Sequence, residues 1–117
     1  MGINSTEVSY GFGQLGSVYG VAGGSDLVPP TNKVFVAITM IENTIFESST
    51  GLISSEPTKY INTETNANDL AGGSETTDQG SGGLVVDSVT FPAGMTIFGR
   101  WTDIDVNTGK VIAYIGD

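Results

Sequence analysis

Nine consecutive residues, Lys33 to Ile41 (KVFVAITMI), are largely apolar on both sides when read as a strand. Val34, Val36, Ile38 and Met40 fall on one face, and Phe35, Ala37, Thr39 and Ile41 on the other, because strand side chains alternate. A strand of this kind needs cover from two directions: a second sheet, another part of the chain, or another subunit. Residue usage carries the same message along the whole chain. Of 117 residues, 14 are Thr, 11 Val and 10 Ile, side chains stiff at χ1 that suit a pleated surface. With 17 Gly and 11 Ser to supply turns, an all-β chain is expected.

Further strands are expected at Thr44 to Ser48, Leu52 to Ser55 and Lys59 to Asn62, with the body resuming at Leu84 to Phe91. Phe91-Pro92-Ala93-Gly94 has Pro and Gly placed for a type II turn. Met95 to Trp101 is the next strand and Val111 to Ile115 the last. Between them Asn107-Thr108-Gly109 reads as a hairpin tip. With Gly109 in a left-handed bulge, Val106 would face Lys110, Ile104 would face Ile112, and Thr102 would face Tyr114. That register puts Ile104, Val106, Ile112 and Tyr114 on one face, with Trp101 and Ile115 on the other. Six to eight short strands separated by turns predict a β-sandwich, of which the jelly roll is one form.

Two stretches stand apart from this body. In residues 1–32, seven glycines are interspersed with Val8, Tyr10, Phe12, Leu15, Val18, Tyr19 and Val21, and Pro29-Pro30 breaks any pairing. This segment reads as an extended Gly-rich arm that cannot bury its own aromatics, which must lie on the body of this molecule or on a neighbour, leaving 33–117 as the body. Within the body, residues 62–83 hold four acids, five glycines and no basic residue, the composition of a surface loop.

Charge and missing residue types then remove whole classes of function. Four Lys or Arg against 13 Asp or Glu give a net charge of −9, which repels a phosphate backbone, so no nucleic-acid partner is expected. Without His or Cys there is no imidazole base, thiol nucleophile, zinc site or disulfide. No run reaches the roughly 20 apolar residues needed to cross a bilayer, and no export signal is legible at the start, so no membrane partner is expected. Gly11-Phe12-Gly13-Gln14-Leu15-Gly16-Ser17-Val18 matches glycine-loop patterns for nucleotides but lacks the strand, helix and acidic partner they require. Asp103-Ile104-Asp105-Val106-Asn107 opens like a calcium loop, yet Thr108 and Tyr114 stand where that loop needs Gly and Glu. Solvent-facing hairpin aspartates are the simpler reading, a weak cation site at Asp103 and Asp105 the other. No acidic pair has an apolar setting that marks it for glycoside cleavage. The chain is therefore expected not to be an enzyme, with no catalytic residue, bound metal or cofactor.

Ser88 to Asp117 (SVTFPAGMTIFGRWTDIDVNTGKVIAYIGD), together with Lys33 to Glu47 (KVFVAITMIENTIFE), resembles small virion proteins of marine tailed bacteriophages assigned as capsid decoration, or cement, proteins. The matching elements are Phe91-Pro92-Ala93-Gly94, Thr96-Ile97-Phe98-Gly99-Arg100-Trp101 and Gly109-Lys110-Val111-Ile112-Ala113-Tyr114, within about 45 residues. The arm and the acidic loop lie outside the resemblance. It implies a β-sandwich made in the host cytoplasm that sits on the capsid exterior of the virion, commonly as a trimer, and reinforces subunit junctions without catalysis.

The major capsid protein is then the expected partner, alongside a homo-oligomer with the trimer favoured. Candidate partner-binding residues are Tyr10, Phe12, Leu15, Val18 and Tyr19 from the arm, with Arg100 and Trp101 from the body. Arg100 beside Trp101 suits an inter-subunit ion pair, given the enrichment of Arg at interfaces; a surface Arg next to a core Trp fits the pattern equally. The alternative function is a carbohydrate-binding module of a phage tail tip or fibre.

Overall fold

The computed structural model describes residues 15–57, 59–64 and 84–117. These residues form antiparallel β structure and contain no helix. The strands are β1 (Ser17–Val21), β2 (Val34–Met40), β3 (Ile45–Phe46), β4 (Leu52–Ser54), β5 (Thr96–Ile104), β6 (Val106–Thr108) and β7 (Lys110–Gly116). Five of them make the main sheet in the order β1-β7-β2-β5-β4, and β3 pairs with β6 in a separate ribbon.

The doubly apolar stretch becomes β2, the central strand, which explains its composition: it has neighbours on both edges as well as side chains on both faces. Its alternation is not strict. The register slips between Phe35 and Ala37 against both neighbours, so Phe35, Ile38 and Met40 all reach the core, three and then two residues apart. Around them close Trp101, Ile104, Val111, Ala113 and Ile115 from the main sheet. Phe46, Phe91 and Val106 join the same core, with Phe46 and Phe91 edge to face at 5.6 Å between ring centroids.

The expected β5–β7 hairpin does not form. Gly109 does take the left-handed conformation, at φ 102°, but β2 lies between β5 and β7, and β6 leaves the sheet to pair with β3. A Cβ on Gly109 would lie 2.4 Å from the Asn43 carbonyl oxygen, so glycine is needed there for packing as well as for φ. The face assignment changes accordingly. Ile104, Val106, Trp101 and Ile115 share the core, while Ile112 and Tyr114 lie on the outer face of the sheet.

Other expectations shift less. The turn after Phe91 falls one residue later, closed by the Met95 N–H to the Pro92 carbonyl at 3.2 Å, with Gly94 at φ 88° in its third position. No strand forms at Lys59 to Asn62 or between Leu84 and Val89. Phe91 instead makes a two-bond bridge with Thr44, 2.8 Å in each direction.

The leading segment departs most from its reading as an arm. Ser17–Val21 is a strand of the chain's own main sheet, paired with β7 from Ser17↔Tyr114 to Val21↔Lys110. Beyond it Leu27 packs against the core and exchanges two backbone hydrogen bonds with Ile104 at 2.8 and 3.0 Å. The Leu27 side chain lies directly over Gly20, where a Cβ would meet it at 2.7 Å. Glycine in β1 therefore serves close packing within this chain.

Candidate functional site: the edges and outer face of the main sheet

Hydrogen-bond geometry fixes which way the backbone of β1 faces. The Ile115 N–H donates to the Gly16 carbonyl at 2.9 Å, and the Ala22 N–H donates to the Gly109 carbonyl at 3.0 Å. In an antiparallel ladder such bonded pairs recur every second residue. Gly16, Val18, Gly20 and Ala22 therefore turn their polar groups toward β7. Ser17, Tyr19 and Val21 turn theirs out of the sheet, and among the described residues no strand lies beyond them. The Val21 carbonyl is taken by the Gly24 N–H at 3.1 Å. Among the described residues no other backbone bond is made along that edge.

Next to the edge, cross-strand register assembles the outer face in rows. One row runs Tyr19, Ile112, Thr39, Thr96 and the next Ser17, Tyr114, Ala37, Phe98. The Thr39 and Thr96 hydroxyls bond at 2.8 Å, tying β2 to β5 on this side. Ala37 is buried between its two aromatic cross-strand neighbours, whereas Tyr19 and Phe98 remain 57% and 61% exposed. No charged side chain occurs in either row. This is a polar-backbone edge beside an uncharged face, the combination that accepts an added strand.

Of the sequence-derived candidates, Leu15 and Tyr19 lie exposed at this edge, while Val18 points the other way and packs against the core. Tyr10 and Phe12 lie outside the described residues. Trp101 is wholly buried in its own chain, and its indole N–H donates to the Ile61 carbonyl at 2.8 Å. It offers no surface to a partner; the reading as a core Trp beside a more exposed Arg fits. Arg100 is engaged within the chain as well, its guanidinium donating to the Asp117 carbonyl at 2.9 Å, while the Asp117 carboxylate pairs with Lys33.

The opposite edge was missed by sequence reasoning. There β4 is capped by residues 62–64, which the composition assigns to a surface loop. Leu52 donates its N–H to the Thr63 hydroxyl at 2.9 Å and accepts the Thr63 N–H at 3.0 Å. Asn62 and Thr63 are buried, and the Asn62 side chain bonds the carbonyls of Pro57 and Tyr60 and the N–H of Glu64. The available signal was the Asn-Thr pair itself, since such side chains readily bond nearby backbone.

Carboxylates gather elsewhere, where β5 passes into β6. Asp103 is half-buried and one of its oxygens has no hydrogen-bond partner. Burial, a hydrogen bond with Asp26, and the charges of Asp26 and Asp105 push its carboxyl up to about 6. Burial first, and then the charges of Asp26 and Glu47, raise Asp105 too. The expectation of freely solvent-facing aspartates fails for Asp103. Among the described residues no three acidic side chains are grouped to hold a metal ion. Burial first, and repulsion among the neighbouring carboxylates after it, account for the shifts.

Comparison with known proteins is silent: the chain matches no family model, no curated protein and no solved structure.

Proposed function

We propose that this chain is a non-enzymatic structural protein of a virion, a decoration or cement protein that binds the outside of a tailed-phage head and stabilises junctions between subunits of the major capsid protein. The observation that carries the reading is the β1 edge, unpaired among the described residues, beside an uncharged face, an arrangement suited to quaternary contact. The resemblance of Lys33 to Glu47 and Ser88 to Asp117 to decoration proteins supports the same assignment. A net charge of −9 keeps the free subunit soluble and steers it toward a basic rim on the shell. Many copies on a symmetric shell multiply weak contacts through effective concentration. A two-layered sandwich belongs to the proposal, with the β3–β6 ribbon and the Phe91 segment facing the main sheet across the core.

The test is addition of the purified chain to heads that lack it. Co-sedimentation, density on the outer shell in particle images, and a higher temperature of genome release are expected. A chain that stays in the supernatant at all concentrations overturns the proposal. Removing residues 1–14, which spares β1, measures what the candidates Tyr10 and Phe12 contribute to attachment.

A further inference from the structure

The outer edge of β1, which no strand among the described residues covers, has the geometry to pair with itself. Its outward-facing residues are Ser17, Tyr19 and Val21, with Tyr19 at the centre of a five-residue strand. A two-fold axis through Tyr19 sets Tyr19 opposite Tyr19 of a second copy and Ser17 opposite Val21. These residues aim their N–H and C=O groups away from β7, so all three fall at hydrogen-bonded positions. The Tyr19 pair supplies both of its bonds, while the Val21 carbonyl already accepts the Gly24 N–H, so each Ser17–Val21 pair adds the bond from the Val21 N–H to the Ser17 carbonyl. No slip or bulge is required. We infer that two copies of this chain associate through antiparallel β1–β1 pairing, joining their five-stranded sheets into one continuous ten-stranded sheet.

The choice of a second copy as occupant rests on charge and on continuity. Two molecules of net charge −9 repel unless they meet along a neutral strip. Ser17–Val21 carries no charge, and in the paired strand β7 only Lys110, opposite Val21, is charged. Lys110 already faces Glu42 at 3.5 Å, so the approach is close to neutral. Continuity adds the outer face. The row Thr96, Thr39, Ile112, Tyr19 runs across the axis into its own mirror order, with no charge along it. The two Tyr19 rings become direct cross-strand neighbours, the aromatic pairing that favours one register over its slips. This association concerns the free chain in solution and stands or falls apart from the proposed attachment to a capsid. It is also isologous and closes at two copies, unlike the trimer that the resemblance implies.

Absence of native cysteine makes the register directly readable in the full chain. In a hydrogen-bonded antiparallel pair the Cα atoms are about 5.5 Å apart, inside the span that a disulfide bridges. Tyr19→Cys should therefore oxidise to a covalent dimer. Ser17→Cys should not, because the two copies of residue 17 are offset by roughly 14 Å along the strands. Sedimentation equilibrium of the unmodified chain should give a reversible dimer. Tyr19→Lys should weaken it about tenfold by setting like charges opposite each other and removing the ring pair. Residue 19 is exposed and its backbone does not bond to β7, so an unchanged circular dichroism spectrum is expected for both Tyr19 variants. A monomer at every concentration, a trimer by mass, or Ser17→Cys linking as fast as Tyr19→Cys would each overturn the inference.

Discussion

The two edges of the main sheet solve the same physical problem in opposite ways. At β4 the outward N–H and C=O of Leu52 are met by Thr63, and the Ser54 N–H reaches the Glu64 carboxylate at 3.4 Å. At β1 the equivalent groups of Ser17 and Tyr19 find no strand beyond them among the described residues. Closing an edge takes buried polar side chains with a fixed network, which Asn62 and Thr63 supply. Leaving one open takes a short uncharged strand with small residues, and SVYGV is that. Proteins usually cover, charge or bend an edge they do not use, so the contrast supports the quaternary role proposed for β1.

If this contrast is real, damage to the closed edge should cost fold stability and damage to the open edge should cost association only. The largest effect is expected at Trp101, which fills the core and holds Ile61 beside the cap. Trp101→Ala should cost about 3–5 kcal/mol in urea denaturation, approaching the stability of many domains of this size. A loss below 1 kcal/mol would show that the cap and the core beneath it are independent. Next comes Thr63→Val, which keeps shape but removes the hydroxyl that receives the Leu52 N–H. A cost of about 1–3 kcal/mol is expected for that unsatisfied buried donor, together with faster exchange of the Leu52 amide.

Part of this arrangement was legible in the sequence. The all-β class, the central strand at Val34–Met40 and the spans of β5 and β7 follow from β-branched runs bounded by turn residues. Local chemistry also placed the left-handed residue at Gly109. It could not place the strands beside one another, because the insertion of β2 between β5 and β7 is decided by pairs 57 to 82 residues apart in sequence. Asn107-Thr108-Gly109 looks the same whether it closes a hairpin or turns β6 against β3. The candidate site was half visible. Tyr19 and Leu15 were expected to be available to a partner and are exposed, but core packing takes up Val18 and hides Trp101. The acidic composition of residues 62–83 masked Asn62 and Thr63, whose burial depends on a backbone edge that no local pattern encodes.

The acidic cluster at the β5–β6 passage offers a smaller effect that is separate from both edges. Asp103 is an acid whose folded pKa is raised from its ordinary 3.8 to about 6, so the folded state holds its proton more tightly than the unfolded chain does. The contribution is fully present below about pH 4 and declines as pH rises through about 6. Asp103→Asn removes the charged form altogether. It should raise stability at pH 7 by roughly 1 kcal/mol, allowing for partial exposure of the site, and flatten the pH dependence between 4 and 6. Equal slopes for the variant and the parent in a series of melts would show that Asp103 ionises freely.

The smallest expected change is at the open edge itself, and its concentration dependence is what separates the two edges most cleanly. Tyr19→Ala removes a largely exposed ring whose backbone groups do not bond to β7, so the unfolding free energy of the separated subunit should move by no more than about 0.5 kcal/mol. A native state that dimerises gains apparent stability by mass action, since the second copy binds the folded chain and not the unfolded one. The parent chain should therefore melt higher as its concentration is raised, while Tyr19→Ala should melt at a nearly constant temperature. Thr63→Val should keep the concentration dependence of the parent while lying below it throughout. Parallel curves for all three proteins would mean that β1 contributes to the sheet as β4 does, and the functional difference between the edges would disappear.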